Sequence, residues 1–384
     1  MAARQRSYLD YNASAPVRPE AAAAMSAALA LPGNPSSVHA EGRAARALVE
    51  QAREQVARLV GAKPSQVVFT SSGSEAAALA LRPGLAAGGR ASTERLLMSA
   101  VEHPCVLDGH GFGEAERIPV DSDGVVNLDW LSERLDQDAS GLLVSIQAAN
   151  NETGVLQPVA AAADLVRGHG GVIHTDAVQV AGRLPLSIGD FDAITFSAHK
   201  IGGPKGVGAL VLGDGVVPPS ALLRGGGQER GRRAGTENVA GIAGFGAAAE
   251  AANAESVGEA SRLLALRKEV EAHLRRLVPD VHIFGVRAER LPNTVAFSAP
   301  GLKAETLLIA FDLEGVALSS GAACSSGKVR RSHVLEACGV SAGLADGAIR
   351  VSLGWNSTQE DVSWFAGACE RVFSSLYKRQ ASAA

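Results

Sequence analysis

Cysteine is scarce, and its four copies stand far apart, at positions 105, 324, 338 and 369. No two are spaced as CxxC, so neither a zinc site nor a disulfide framework is expected, and no metal-ligand set stands out. An excess of one charge is also lacking, since 36 Lys and Arg against 40 Asp and Glu leave a formal net charge of −4. No basic stripe points to nucleic acid as a direct partner. Long apolar runs are missing too: the Ala-rich stretch from Ala21 to Leu31 is too short to span a bilayer and contains Ser26. The opening residues, MAARQRSYLDYN, lack the apolar core of a signal peptide. Repeats and low-complexity tracts are absent. The expectation is a cytoplasmic protein in a reducing compartment, with no membrane partner.

At 384 residues, 46% hydrophobic and 20% charged, the chain is long enough for two domains with a large core. Short strand-like runs recur at 67–70, 96–99, 117–120, 142–146, 171–175, 193–197 and 207–212, with helical segments between most of them. This alternation predicts a mostly parallel α/β sheet. The pattern changes near 237. Two long helices, 237–254 and 256–277, are expected there, followed by a smaller α+β unit with strands at 294–298 and 348–353 and helices at 304–313, 332–338 and 359–378. The expected division is a large domain over 13–255 and a small one made of 1–12 and 256–384.

The stretch from His174 to Gly208 carries the strongest chemical signal. Asp176 follows the apolar run Gly171-Val172-Ile173, and Ser197-Ala198-His199-Lys200 follows Ala193-Ile194-Thr195-Phe196. Two buried strands thus deliver a carboxylate and a lysine to one sheet edge. That pairing suits a pyridoxal phosphate enzyme, in which a lysine holds the aldehyde and a carboxylate keeps the pyridine nitrogen protonated. Asp176 can instead be a helix cap, and Lys200 a solvated charge. The case for chemistry is joint, because 103, 151, 176 and 197–200 all fall at C-terminal strand ends.

Other segments read two ways. Thr70-Ser71-Ser72-Gly73-Ser74-Glu75 lies between a strand and a helix, where free N–H groups and hydroxyls either cradle an anion or merely cap the helix. His103, in Glu102-His103-Pro104, is either structural or a ring-stacking proton carrier. Asn150-Asn151-Glu152-Thr153-Gly154 is either a tight turn or a contact segment. The basic, glycine-rich segment 224–238 is a solvated loop or a phosphate or subunit contact. Cys324 lies in SSGAACSSG, with no bulky neighbour to bury it, and reads as reactive; Cys338 and Cys369 fit helix faces better. Arg350 either clamps a carboxylate or forms an ordinary ion pair.

Together these segments resemble a known family. YLDYNASAPV, GNPSSVHAEG, FTSSGSEAAALAL, EHPCVL, NNETGVLQP, HTDAVQ, FSAHKIGGPKGVGAL, GGGQERGRRAGTEN, SSGAACSSG and IRVSLG are similar to the successive motifs of the cysteine desulfurases, in the NifS/IscS-like branch of the class V aminotransferases. The match covers nearly the whole chain in order. It implies fold type I, with a mostly parallel seven-stranded sheet in the large domain and a smaller α+β domain. It also implies a homodimer, with active sites near the subunit interface, and pyridoxal 5'-phosphate on Lys200. In that arrangement Asp176 pairs with the pyridine nitrogen, Gln179 and Asn151 lie near the ring hydroxyl and substrate, and His103 stacks on the ring. Gly73, Ser74, Ser197 and His199 bind the phosphate, joined by Thr236 of the partner subunit. Asn34 and Arg350 hold the carboxylate of L-cysteine, and Cys324 takes the sulfur as a persulfide. The implied acceptors are iron–sulfur scaffold proteins or a SufE-like shuttle. One departure stands out: the Ala76–Ala78 run replaces polar residues that many relatives carry after the phosphate loop.

A selenocysteine lyase or an aminotransferase on the same fold is the main alternative, and Cys324 disfavours the latter. A sulfur-trafficking scaffold without catalysis and a Cys–His hydrolase are more distant readings.

Overall fold

The computed structural model describes residues 6–320 and 331–383. Its central sheet has seven strands: β1 (Val67–Thr70), β2 (Arg95–Ser99), β3 (Ala115–Ile118), β4 (Leu142–Ser145), β5 (Val172–Asp176), β6 (Ala193–Ser197) and β7 (Gly208–Leu212). The spatial order is β1-β7-β6-β5-β4-β2-β3. β7 runs antiparallel to both β1 and β6, and every other pairing is parallel. The expected mostly parallel sheet is therefore present. β4, β5, β6 and β7 are buried at every position, because helices cover both faces and leave no polar side for alternation.

One polar thread crosses this apolar sheet. His174 sits fully buried between Ser145 Oγ at 2.9 Å and Thr195 Oγ1 at 3.0 Å, on the strands to either side. Burial pushes its imidazole down to about 3, so it is neutral and both ring nitrogens are satisfied.

The long helical region is one element. Val239–Leu277 is a single helix of 39 residues, where the sequence suggested two. No proline interrupts 239–277, and Gly258, the glycine near the expected break, is too weak a breaker to end a helix packed on both halves. Its first half (Ile242, Phe245, Ala248, Ala249, Ala252) joins the core under the central sheet. Its second half (Leu263, Leu266, Val270, Leu274) joins a separate core containing Phe297, Phe311, Phe365 and Phe373. That second core underlies a three-stranded antiparallel sheet of His282–Ile283, Thr294–Ser298 and Ala348–Ser352. The chain start belongs with it: Leu9 is fully buried there, and Ser7–Tyr8 pairs in parallel with Val316–Ala317.

Residues 10–18 then cross back to the large sheet and lace onto the segment after β6. Ala15 N–H donates to the His199 carbonyl at 2.9 Å, and Arg18 N–H to the Gly202 carbonyl at 2.8 Å. Asn12 is the knot. Its Nδ2 donates to Thr294 Oγ1 at 2.9 Å, and its Oδ1 accepts from Asn293 Nδ2 at 3.1 Å. No helix among the described residues is long and apolar enough to cross a membrane.

Candidate active site

The parallel strands all end at one edge of the sheet, where their C-terminal residues open into a cavity of about 530 Å³. β1 leads to Gly73 and Ser74, β2 to His103, β4 to Gln147 and Asn151, β5 to Asp176, and β6 to Ser197, His199 and Lys200. All of these line the cavity, as do Gln179, Lys205, Ser319 and Arg350. Ten of the residues singled out in the sequence thus meet in one place. Three do not. Asn34 is exposed on a loop and makes a local turn, its Oδ1 accepting from Ser36 N–H at 2.9 Å. Thr236 lines a separate small cavity with Ser71 and Gly206. Cys324 lies outside the described residues.

Lys200 Nζ donates to the backbone carbonyls of Asn12 at 2.5 Å and Ala13 at 3.0 Å, so the crossing strap holds the amine over the cavity. Asp176 is buried, and its carboxylate takes one N–H, from Val178 at 2.8 Å. Burial pushes it up to about 6, against the pull of that N–H and of the Lys200 charge. A buried carboxylate that no Arg or Lys among the described residues bridges is suited to a cation that enters the cavity. That chemistry fits a protonated pyridine nitrogen.

His103 caps the short helix Pro104–Leu107, with Nδ1 accepting from Cys105 N–H at 3.1 Å. Burial, then the charges of Lys200 and His333, push it down to about 4. It is a neutral imidazole near pH 7, with Nε2–H as the favoured tautomer, able to relay a proton and to stack flat against a ring. His199 is likewise pushed down to about 4, by burial and by the charges of Lys200 and Lys205.

Capping of the helix Gly73–Ala80 is settled by geometry. Ser72 Oγ, not Ser74, accepts the Glu75 N–H at 3.1 Å. Ser74 is therefore spared for the cavity, beside the positive end of the helix. Glu75 in turn accepts from Ser71 N–H at 2.7 Å and pairs with Arg233 at 3.0 Å, tying the basic loop to this turn.

Arg350 donates to Asp10 at 2.7 Å and to the Asn151 carbonyl at 2.9 Å. Asn150 builds the turn that presents Asn151, its Oδ1 accepting from Glu152 N–H and Thr153 N–H, both at 2.9 Å. Gly154, at φ 77, completes that turn. The thiols of Cys338 and Cys369 are buried and pushed up by desolvation, which makes them inert.

Sequence reasoning missed Glu102, Lys205, Arg183 and the backbone of Asn12. Glu102 is fully buried, accepts from Gln147 N–H at 2.6 Å and is pushed well up by burial and by Asp176. Only the repeated Glu102-His103 and Gly203-Pro204-Lys205 neighbourhoods of already chosen residues hinted at two of these.

The model of the aminotransferase class-V family matches residues 7–365. The chain belongs to the aminotransferase class-V family. Among its relatives, a cysteine desulfurase IscS of Dictyoglomus turgidum is 41% identical over 379 residues, covering 96% of this chain and 95% of its own. A cysteine desulfurase of Cereibacter sphaeroides is 41% identical over 367 residues, covering 93% of each. The crystal structure of a NifS-like protein from Rickettsia africae superposes with a TM-score of 0.86 at 32% identity, covering 96% of this chain and 100% of that one. The family is one of pyridoxal phosphate-dependent enzymes. The motif-level likeness to the NifS/IscS-like branch agrees with the names of these relatives, and fold type I with the architecture.

Proposed function

We propose that the chain is a cysteine desulfurase that converts L-cysteine to L-alanine and captures the sulfur as a persulfide on Cys324. The observation that carries this reading is the convergence of Lys200, Asp176 and His103 on one cavity, together with the class-V relatives. Pyridoxal 5'-phosphate, when bound, supplies the electron sink that lets the substrate lose its Cα proton and release sulfur from Cβ.

The chain's own residues do the rest. Lys200 holds the aldehyde and is positioned to move the Cα proton. Asp176 keeps the pyridine nitrogen charged. Gly73, Ser74, Ser197 and His199 receive the phosphate, His103 stacks and relays protons, and Gln179 and Asn151 face the ring hydroxyl and substrate. Arg350 takes the substrate carboxylate. Cys324 stands five positions after Ser319, a cavity residue, and as thiolate it attacks the substrate sulfur and keeps it.

Thr236 lies away from the chain's own cavity, which supports a homodimer whose partner subunit brings it to the site. The same reading gives the two-domain division at about residue 255, a cytoplasmic location and protein acceptors such as an iron–sulfur scaffold or a SufE-like shuttle. Mass spectrometry of Cys324 after incubation with L-cysteine tests it. A gain of one sulfur atom on Cys324, lost in Cys324→Ala together with sulfide release, is expected. Undiminished desulfuration by Cys324→Ala would falsify the persulfide route.

A further inference from the structure

Behind the cavity wall lies a buried cation, Arg183, with no counter-ion among the described residues. Arg183 is 8% exposed, and no carboxylate among the described residues pairs with it. Its guanidinium donates instead to Gln179 Oε1 at 2.6 Å, to the Gln179 carbonyl at 3.0 Å and to the Lys200 carbonyl at 3.4 Å. Burying an arginine costs free energy that three neutral acceptors only partly offset, so the arrangement calls for a role beyond packing.

The bonds define one. A guanidinium has only donors, so it can face only the amide oxygen of Gln179. The Asn12 carbonyl can only accept, and it takes Gln179 Nε2–H at 3.1 Å. Both ends of the amide are therefore fixed, and a flip would set donor against donor and acceptor against acceptor. Gln179 lines the cavity, and the one polar group it has left is its second amide N–H. The Asn12 carbonyl that reads this orientation also receives Lys200 Nζ. We propose that Arg183 is a positioning residue that locks Gln179 as a hydrogen-bond donor toward the cavity beside Lys200. The ligand group it serves is an anionic oxygen, which on the proposed function is the ring hydroxylate of pyridoxal phosphate. The inference rests on that reading.

A donor to that oxygen stabilises its charge and weakens its hold on the proton shared with the lysine linkage. Loss of the lock must therefore raise the pH midpoint at which the visible chromophore of the loaded protein changes colour. Asp176, His103, His199, Lys205 and Arg350 face the same cavity and stay constant in the comparison. In Arg183→Met the midpoint is expected to rise by about one pH unit, the worth of one hydrogen bond, with about tenfold weaker binding of pyridoxal phosphate. Arg183→Lys keeps a charge and a donor for Gln179 Oε1, and its midpoint should stay near that of the unsubstituted protein. In a Gln179→Ala background, Arg183→Met should shift the midpoint no further. An unmoved midpoint in Arg183→Met overturns the proposal. So does an equal shift in Arg183→Lys, or a shift that persists without Gln179, since the charge itself would then be acting. If Arg183→Met does not fold, Gln179→Ala with Arg183 intact still decides: its midpoint should rise, and an unmoved midpoint overturns the proposal. Failure of the unsubstituted protein to develop a visible chromophore with pyridoxal phosphate would instead defeat the proposed function.

Discussion

Arg350 and Asp10 form a part-buried ion pair, 2.7 Å from Nη2 to Oδ1, across the joint between the small sheet and the crossing strap. The arginine is thus held in place before any substrate arrives, and its Nε is buried with no bond among the described residues. Asp10 fixes its direction, and the cavity-facing side is left for a second carboxylate. Arg350→Gln should raise KM for L-cysteine roughly 10- to 100-fold, the worth of a charge-assisted hydrogen bond, with a smaller fall in kcat. Steady-state alanine formation measures both. An unchanged KM would remove Arg350 from substrate binding.

Asp176 couples stability to pH in the protein freed of cofactor. Its folded value of about 6 lies above the ordinary 3.8. The protonated group is comfortable in its buried setting, so the associated stability is fully present below about pH 4 and is lost as pH rises through 6. Above that range the desolvated carboxylate costs about 3 kcal/mol. Asp176→Asn should therefore raise the melting temperature of the cofactor-free protein near neutral pH, with the gain vanishing toward pH 4. The same change should weaken pyridoxal phosphate binding, since an amide offers no charge to a cationic ring nitrogen. Calorimetry at the two pH values and a fluorescence titration check the two halves. Equal melting temperatures at neutral pH would contradict the assignment of Asp176 as a buried, unbridged carboxylate.

Glu229 anchors the glycine-rich basic loop from inside. Arg53 Nη1 and Nη2 donate to Glu229 at 2.7 and 2.8 Å, and the Phe69 N–H of β1 donates to the same carboxylate at 2.9 Å. The turn that brings Glu229 inward puts Glu229 and Arg230 at φ 48 and 58, a left-handed conformation that disfavours side chains and is held here by the pair. Arg53→Met leaves a buried charge alone and should cost about 3–5 kcal/mol. The double variant Arg53→Met with Glu229→Met should recover much of that loss. Urea unfolding midpoints of the three proteins read the cycle, and a double variant no better than the single one would count against a buried, paired Glu229.

The strand ends were legible because their chemistry is local. Asp176 and Ser197–Lys200 each follow a short apolar run, and a parallel sheet brings such ends to one edge. Helix boundaries in the small unit were equally plain, as in Ala304–Leu313, where apolar periodicity and a flanking glycine bound the element. What stayed hidden depends on groups distant in sequence. Nothing in YLDYN announces that the Asn12 carbonyl meets Lys200, 188 positions away. Arg183 reads as an ordinary charged residue until Gln179 is seen to turn its amide oxygen toward it. Ser72 and Ser74 are indistinguishable as caps without the backbone, because the sequence does not fix whether the helix opens at Gly73 or at Glu75. The helix 239–277 runs unbroken although its buried stripe changes partner midway, from one core to the other, and that change of partner is invisible in the sequence.

Gly208 offers a steric test of the turn proposed to receive the phosphate. It opens β7 directly beneath Ser72 and Gly73. A Cβ there would lie 2.3 Å from the Ser72 carbonyl carbon, 2.6 Å from its oxygen and 2.7 Å from the Gly73 nitrogen. These are backbone atoms, so no rotamer change relieves the clash, and the turn itself must move. The helix start at Gly73 and the Ser74 hydroxyl would move with it. Overpacking of this kind costs about 1–3 kcal/mol, which, spent at the turn, weakens ligand binding by about 5- to 150-fold. Gly208→Ala should therefore bind pyridoxal phosphate at least about fivefold more weakly, while its binding of pyridoxal, which lacks the phosphate, changes little. Fluorescence titration with the two compounds separates the cases. Equal losses for both would mean that the turn serves the ring or the fold, and the phosphate would have to be placed elsewhere on the cavity wall.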